Sequence, residues 1–115
     1  MKGYSGKRRP VKQGAEARTE MDQLEDVPNI GPAVAADLRR LGIKSPADLL
    51  GRDPYAMYDD LCRITRQRHD PCVLDTFIAA VRFMEGAKAQ PWWKYTAERK
   101  QTLADRNGEK KTIRR

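Results

Sequence analysis

Apolar residues recur along the chain at helical spacing, in short segments separated by proline and glycine. The longest segment covers about residues 71–85, where apolar positions occupy more than half of a helix circumference and therefore predict a central, buried helix. Similar but narrower stripes predict helices over about 32–41 and 54–65. No segment alternates apolar and polar residues with period two, so the pattern predicts an all-α fold.

Two shorter helices complete a predicted set of about five. Thr19 can cap a helix that Pro28 stops, because proline lacks a backbone donor. Ser45 followed by Pro46 is typical of a helix start, and the helix that begins there is expected to end at Gly51.

The pattern divides the chain into three parts. Residues 1–18 have almost no apolar periodicity and are predicted to be a disordered basic arm. Residues 19–95 form the predicted domain, and its last segment, Pro-Trp-Trp-Lys-Tyr at 91–95, is expected to fold back over the central helix. Residues 96–115 are predicted to be a basic C-terminal tail, partly helical or disordered.

The net charge of +7 comes from the two ends of the chain. Residues 1–20 carry six basic and two acidic side chains, and residues 96–115 carry seven basic and three acidic ones. Residues 21–95 are nearly balanced, with ten basic and eleven acidic side chains. Basic ends attract any polyanion without reading its sequence, but they also keep a small protein soluble, and charge alone does not decide between the two roles.

Composition excludes several classes of protein. The mean hydropathy is −0.81, and no stretch approaches the roughly 18 apolar residues of a membrane helix. The N-terminus lacks the apolar core of a secretory signal, and two cysteines suit a reducing compartment, so a cytoplasmic location is expected. With one histidine and no glycine-rich phosphate loop, we expect no enzyme activity, no cofactor and no small-molecule substrate.

Residues 24–38, LEDVPNIGPAVAADL, resemble the helix-hairpin-helix motif, in which two helices meet across a turn of the pattern hydrophobic-Pro-Gly-hydrophobic-Gly. Ile30 is the central hydrophobe, Gly31 is the second glycine and Ala35 is the small residue that lets the helices approach. Asn29 replaces the first glycine, and asparagine is the next best residue for a left-handed conformation.

A helix start of this kind is suited to binding phosphate, because its N–H groups are unpaired and carry partial positive charge. Pro32 has no N–H, so the candidate donors are the backbone amides of Asn29, Gly31, Ala33 and Val34. The resemblance implies sequence-independent binding of the nucleic-acid backbone, with a possible monovalent cation held by the carbonyls of Glu25, Val27 and Ile30. Many DNA-binding versions carry lysine or a polar residue where this chain has Ala33, which cannot reach a phosphate.

Basic side chains further along the chain could assist in binding phosphate. The candidates on or after the first predicted long helix are Arg39, Arg40 and Lys44. The order of segments is that of a paired helix-hairpin-helix domain of the SAM-like type, in which residues 66–70 form a degenerate second hairpin that offers Arg66 and Arg68. A solvated basic loop is the alternative interpretation of these two arginines.

Over about residues 21–95, the chain resembles the bacterial pathogenicity-locus family, also called mitomycin-resistance-protein-like. The segments that carry the resemblance are VPNIGPAVAADLRRLGIKSPADL, LCRITRQRHDPCVLDTFIAAVRFMEG and PWWKYT. The hairpin is also similar to the C-terminal domain of TfoX-type competence regulators. The resemblance implies a helix-hairpin-helix fold.

Cys62, His69 and Cys72 have the spacing C-x6-H-x2-C, which has three interpretations. The cysteines can be packing residues, which is the simplest interpretation. A zinc site would need a fourth ligand such as Asp70 or Asp75. Cys72 could also be a reactive thiol with His69 as base, since the start of a helix lowers a thiol pKa.

Two functions remain open at this point. The first is a non-catalytic, sequence-independent DNA-binding or DNA-associated protein, whose hairpin amides contact phosphate and whose ends add electrostatic attraction. The alternative is a protein-interaction adaptor whose hairpin is structural. Trp92, Trp93 and Tyr95 could stack on unpaired bases, but covering the core is the simpler role for them.

Overall fold

The computed structural model describes residue 18 and residues 20–114, with side chains as far as residue 106. The described residues form four α-helices and three 3-10 helices and contain no β-strand, which confirms the predicted all-α fold. The α-helices are α1 (Pro32–Arg40), α2 (Pro54–Thr65), α3 (Pro71–Met84) and α4 (Thr96–Arg114). The 3-10 helices are η1 (Leu24–Asp26), η2 (Pro46–Leu49) and η3 (Trp92–Tyr95).

Helix α3 is the centre of the fold, as its apolar pattern predicts. Every residue from Leu74 to Met84 except Arg82 is buried. Helices α2 and α4 and the 3-10 helices η2 and η3 all pack against α3. None of the described helices is both long enough and apolar enough to span a membrane.

Two of the predicted helices are single 3-10 turns. The segment before Pro28 forms only η1, because the proline holds the preceding Val27 extended at φ −77° and ψ 134°. The carboxylate of Asp26 accepts a hydrogen bond from the Gln23 amide at 3.2 Å and starts the turn there. Thr19, the predicted cap, lies outside the described residues.

The helix expected between Ser45 and Gly51 is likewise the 3-10 helix η2. The Asp48 carboxylate accepts from the amides of Lys44 at 3.0 Å and Ser45 at 3.2 Å, which closes a tight turn. Leu50 is already extended, at φ −62° and ψ 132°, so the chain leaves the helix after one turn.

A buried carboxylate attaches α4 to the central helix. Asp75 is fully buried in α3 and accepts hydrogen bonds from the Arg99 guanidinium at 2.9 and 3.3 Å. The Thr96 hydroxyl donates to the same carboxylate at 2.7 Å. Asp75 thereby has charge-assisted partners on both oxygens, as a buried charge requires. Thr96 and Arg99, which the sequence assigns to the C-terminal tail, therefore contact the core.

Arg18 lies against the other end of α3. Its guanidinium donates to the carbonyls of Phe83 and Ala87, both at 2.6 Å, and stands 3.8 Å from the centre of the Phe83 ring. These contacts satisfy carbonyl groups at a helix C-terminus, where positive charge is favourable. The rest of the predicted basic arm, residues 1–17, lies outside the described part of the chain.

The aromatic segment covers the core only in part. Tyr95 is buried against α3, as expected, and Trp92 is half-buried. Trp93 is 59% exposed, so the expectation that the whole aromatic segment covers the core is wrong for this residue. Adjacent residues of a 3-10 helix point in different directions, and only some of them can face α3.

Candidate nucleic-acid interface at the start of α1

The turn of residues 27–31, here called the Asn29 turn, joins η1 to α1. Val27 and Ile30 are buried and hold the turn to the core. Asn29 has φ 75°, the left-handed conformation that the sequence predicts where the resembling motif has glycine. The prediction that asparagine can replace the first glycine is therefore confirmed at the level of the backbone.

The side chain of Asn29 has a second role that sequence reasoning missed. Its amide nitrogen donates to the carbonyl of Gln90 at 2.7 Å, and its oxygen accepts from the backbone amide of Trp92 at 3.2 Å. The two bonds join the Asn29 turn to the segment that leads into η3. No local sequence signal could reveal them, because the partners lie 61 and 63 residues away.

The start of α1 offers unoccupied backbone donors. Gly31 is the N-cap and has no side chain to accept a hydrogen bond, and Pro32 follows it. Within the described part of the chain, the amides of Asn29, Gly31, Ala33 and Val34 have no hydrogen-bond acceptor. The amide of Ile30 is already bonded to the carbonyl of Val27 at 3.1 Å, so this residue contributes packing rather than a free donor.

The surface in front of these donors is open. Residues 31–33 are exposed, and a Cβ atom added to Gly31 would meet nothing within 4 Å. The backbone of Gly31 is extended, at φ −94° and ψ −174°, a conformation that any residue adopts. A substitution at Gly31 can therefore alter access to the amides without straining the turn.

Two of the three candidate cations near α1 are already in ion pairs. Arg39 donates to Glu25 at 3.2 Å, and Arg40 donates to Asp37 at 2.8 Å. The backbone amide of Glu25 and the Arg39 guanidinium hold the pKa of the Glu25 carboxyl below its ordinary value. Lys44 is exposed and makes no ion pair with any described residue.

The loop of residues 66–70, here called the Arg66 loop, opens α3 differently. Arg66 ends α2 in the left-handed conformation, at φ 58°, and both Arg66 and Arg68 are exposed. The Asp70 carboxylate caps α3 by accepting from the Cys72 amide at 2.9 Å, and this bond holds the pKa of Asp70 below its ordinary value. The start of α3 is therefore already filled by an anion of the protein itself.

The Arg66 loop also contains the cysteine–histidine group. The His69 ring nitrogen Nε2 lies 2.8 Å from the Thr65 hydroxyl, and the His69 carbonyl accepts from the Tyr58 hydroxyl. Both cysteines are free and half-buried. Among the described residues, no three His, Cys, Asp or Glu side chains are grouped to hold a metal ion.

The expectation of a lowered thiol pKa at Cys72 is wrong. Burial, a hydrogen bond to Asp70 and the charges of Asp70 and Asp75 raise the pKa of Cys72 above its ordinary value. These effects outweigh the favourable position at the helix start and disfavour the thiolate form of Cys72. Asp75, considered as a fourth zinc ligand, has its oxygens occupied by Arg99 and Thr96.

A shallow groove lies beside the Asn29 turn. Its volume is about 380 Å³. Its lining includes Pro28 and Asn29 of the turn and the exposed Trp93. The remaining lining residues are Ala89, Gln90 and Pro91. The hydrogen bonds between the Asn29 side chain and the backbone of Gln90 and Trp92 join the two chain segments that line the groove.

Comparison with known proteins gives two matches. The model of the family described as "Pathogenicity locus" matches residues 17–101, which include the Asn29 turn, the Arg66 loop and Trp93. The chain is also 46% identical, over 81 residues, to the mitomycin resistance protein McrB of Streptomyces lavendulae. That alignment covers 70% of this chain and 77% of the relative. No solved structure matches the chain.

Proposed function

The chain belongs to the pathogenicity-locus family, and we propose that it is a non-catalytic protein that binds the DNA backbone without regard to sequence. The observation that carries the proposal is the start of α1, where amides without an acceptor among the described residues face open surface. A phosphate oxygen bound there would receive backbone hydrogen bonds and the positive end of the helix dipole. Such contacts read no base edges.

The surroundings of the Asn29 turn favour the same function. The bonds from Asn29 to Gln90 and Trp92 hold the turn in one geometry before any ligand arrives, which reduces the cost of binding. The ion pairs of Arg39 and Arg40 are solvent-exposed, and exposed pairs are weak enough to be exchanged for a phosphate. Lys44 and the basic ends of the chain add long-range attraction.

The proposal also covers the location, the partner and the cellular role of the protein. We infer a cytoplasmic protein with DNA as its partner and no catalytic step, cofactor or small-molecule substrate. Since its relative is named a mitomycin resistance protein, we also propose a contribution to mitomycin resistance. Growth on the drug of a strain lacking the chain, complemented by wild type or by a Gly31→Val variant, tests that contribution.

Fluorescence anisotropy with a labelled duplex, titrated at several salt concentrations, tests DNA binding directly. The full chain is used, because a fragment ending at Tyr95 would remove Arg99 and leave Asp75 buried without its charge partner. Gly31→Val should weaken binding by about tenfold or more, because its side chain keeps phosphate away from the amides. Ala36→Val, which adds the same side chain at an exposed position of α1, is the matched control.

A second variant separates the Asn29 turn from the basic ends. In it, the basic residues of 1–12 and 110–115 are replaced by glutamine, which flattens the salt dependence of binding. If this variant still binds and Gly31→Val abolishes the remaining affinity, the phosphate contact is supported. Loss of all binding in the neutralised variant, together with normal binding by Gly31→Val, would instead favour the protein-interaction adaptor.

A further inference from the structure

The exposure of Trp93 is unusual within its own segment. Tyr95 is buried and Trp92 is half-buried, whereas 59% of Trp93 is exposed. The ring of Trp93 is nevertheless held in place, because it meets the Trp92 ring edge to face, with centroids 5.6 Å apart and planes at 85°. An exposed but fixed aromatic ring is a ready surface for stacking, since little conformational freedom is lost on binding.

Trp93 shares a groove with the Asn29 turn, which leads into the proposed phosphate site. It lines the groove together with Pro28 and Asn29, and Asn29 immediately precedes Ile30 and Gly31 at the start of α1. The groove is apolar and has a volume of about 380 Å³, enough for a small planar group. A ligand with a phosphate at the amides and a flat apolar face beside it would fit both features.

Of the two chain segments that line the groove, residues 86–97 are basic, whereas Pro28 follows the exposed Glu25 and Asp26, of which Glu25 is paired with Arg39. Residues 86–97 contain two lysines and no acidic residue, and both Lys88 and Lys94 are exposed. The acidic side chains that flank residues 86–97 are Glu85 and Glu98, and Glu98 is paired with Arg82. Aromatic and basic side chains combined in this way are typical of grooves that bind single strands.

We propose that this groove receives an unpaired DNA base, stacked on Trp93, from a strand whose neighbouring phosphate lies at the start of α1. The inference rests on the proposed function and refines its substrate class. In a duplex the base faces are covered by their neighbours, so Trp93 can stack only where bases are unpaired. The full chain should therefore prefer single-stranded or partly unpaired DNA over blunt duplex.

Three labelled probes of equal length test the inference with the full chain: an oligothymidylate, an abasic strand and a blunt duplex. The abasic strand carries the same phosphates without bases, so it isolates stacking from charge. Trp93→Ala should weaken oligothymidylate binding by about 5- to 100-fold and leave the abasic strand and the duplex unaffected. Ile64→Ala is the control, because Ile64 is an exposed apolar residue of α2. This change should leave the binding of all three probes unaffected.

Tryptophan fluorescence gives a second readout that does not depend on affinity. In a Trp92→Phe variant, Trp93 is the single tryptophan of the chain. Its emission should be quenched by oligothymidylate and unchanged by the abasic strand. Circular dichroism of each variant checks that the helices are intact.

The outcomes separate this inference from the proposed function. If Gly31→Val weakens all three probes while Trp93→Ala weakens none, the phosphate contact stands and the base site is overturned. If Trp93→Ala weakens oligothymidylate binding while Gly31→Val weakens nothing, the phosphate contact at α1 fails and stacking alone remains. Equal binding of oligothymidylate and the abasic strand by wild type would also overturn the base site.

Discussion

The starts of α1 and α3 resemble each other in sequence but differ in whether a side chain of the protein occupies their first backbone amides. Both helices have proline as their first residue, after Gly31 in α1 and after Asp70 in α3. The Asp70 carboxylate accepts from the amide of Cys72, so an anion already stands at the positive end of α3. Gly31 has no side chain, and the corresponding end of α1 is open.

The difference shows that a helix start becomes a candidate anion site only when the protein does not fill it. Aspartate stabilises a helix by the same interactions that would bind a phosphate, namely hydrogen bonds from the first amides and attraction to the dipole. The two exposed arginines of the Arg66 loop add positive charge, but Asp70 opposes a phosphate there. The Asn29 turn is therefore the stronger of the two candidate sites.

The largest expected effect is on the free energy of unfolding, and it compares the buried ion pair of α3 with the exposed ion pair beside α1. Arg99→Met leaves Asp75 buried and unpaired in α3, which should lower the free energy of unfolding by about 3–5 kcal/mol. Arg39→Met breaks only an exposed pair beside α1 and should leave the urea midpoint almost unchanged. Urea denaturation followed by circular dichroism measures both, with Lys100→Met as a control at an exposed neighbouring position.

A destabilisation by Arg99→Met no greater than that by Lys100→Met would contradict this account of α3. Replacing both charges, in Asp75→Leu combined with Arg99→Met, should recover part of the lost stability, because no buried charge then remains unpaired.

Placing the aspartate N-cap of α3 at the start of α1 tests the comparison of the two helix starts directly. Gly31→Asp gives α1 the carboxylate that α3 has, so it should occupy the amides, repel phosphate and weaken duplex binding by about ten- to a hundredfold. The same change should preserve or slightly raise thermal stability, because aspartate is a good N-cap. Anisotropy and thermal denaturation are measured on the same samples.

Gly31→Asn is the matched control for this substitution, since it can cap the helix without adding charge. It should weaken binding less than Gly31→Asp does. Full duplex affinity in Gly31→Asp would show that phosphate does not bind at α1.

The smallest expected effect is the pH dependence that the cap of α3 contributes. The pKa of Asp70 is lowered in the folded protein by its bond from the Cys72 amide. Its contribution to stability is therefore complete above the ordinary aspartate pKa and is lost as the pH falls through the lower folded value. Asp70→Asn should lower the melting temperature by about 1 to 3 degrees at neutral pH.

The difference between wild type and Asp70→Asn should then disappear as the solution is acidified, since both side chains are neutral at low pH. A difference that persists at the acidic end would mean that the negative charge of Asp70 does not stabilise α3. The start of α1 has no titrating cap, so no equivalent dependence is expected from it.

Local sequence patterns predicted the backbone conformation correctly where no neighbouring residue opposes them. The apolar stripes over about 54–65 and 71–85 predicted α2 and α3, and Asn29 was recognised as a residue able to adopt positive φ. The patterns misled where neighbouring residues compete. Pro28 and Leu50 limit η1 and η2 to single 3-10 turns, although each segment has the apolar stripe or cap of a helix.

The candidate site was predictable in its backbone donors and not in its surroundings. The amides of Gly31, Ala33 and Val34 follow from proline at the helix start and glycine before it, because an N-cap without a side chain leaves them free. The pKa of Cys72 was predicted in the wrong direction, because the helix start was counted and the burial of the thiol beside acidic groups was not. The exposure of Trp93 could likewise not be predicted from the residues next to it in the sequence.

By itself the sequence determined the all-α fold, the central position of α3, the Asn29 turn and the positive charge at both ends. These properties depend on local conformational preference, on periodicity and on composition, which are written into neighbouring residues. Only the tertiary structure decided that Asn29 bonds to the segment before Trp93 and that Arg99 pairs with Asp75. Those contacts join residues distant along the chain, and they exist only because packing around α3 brings the partners together.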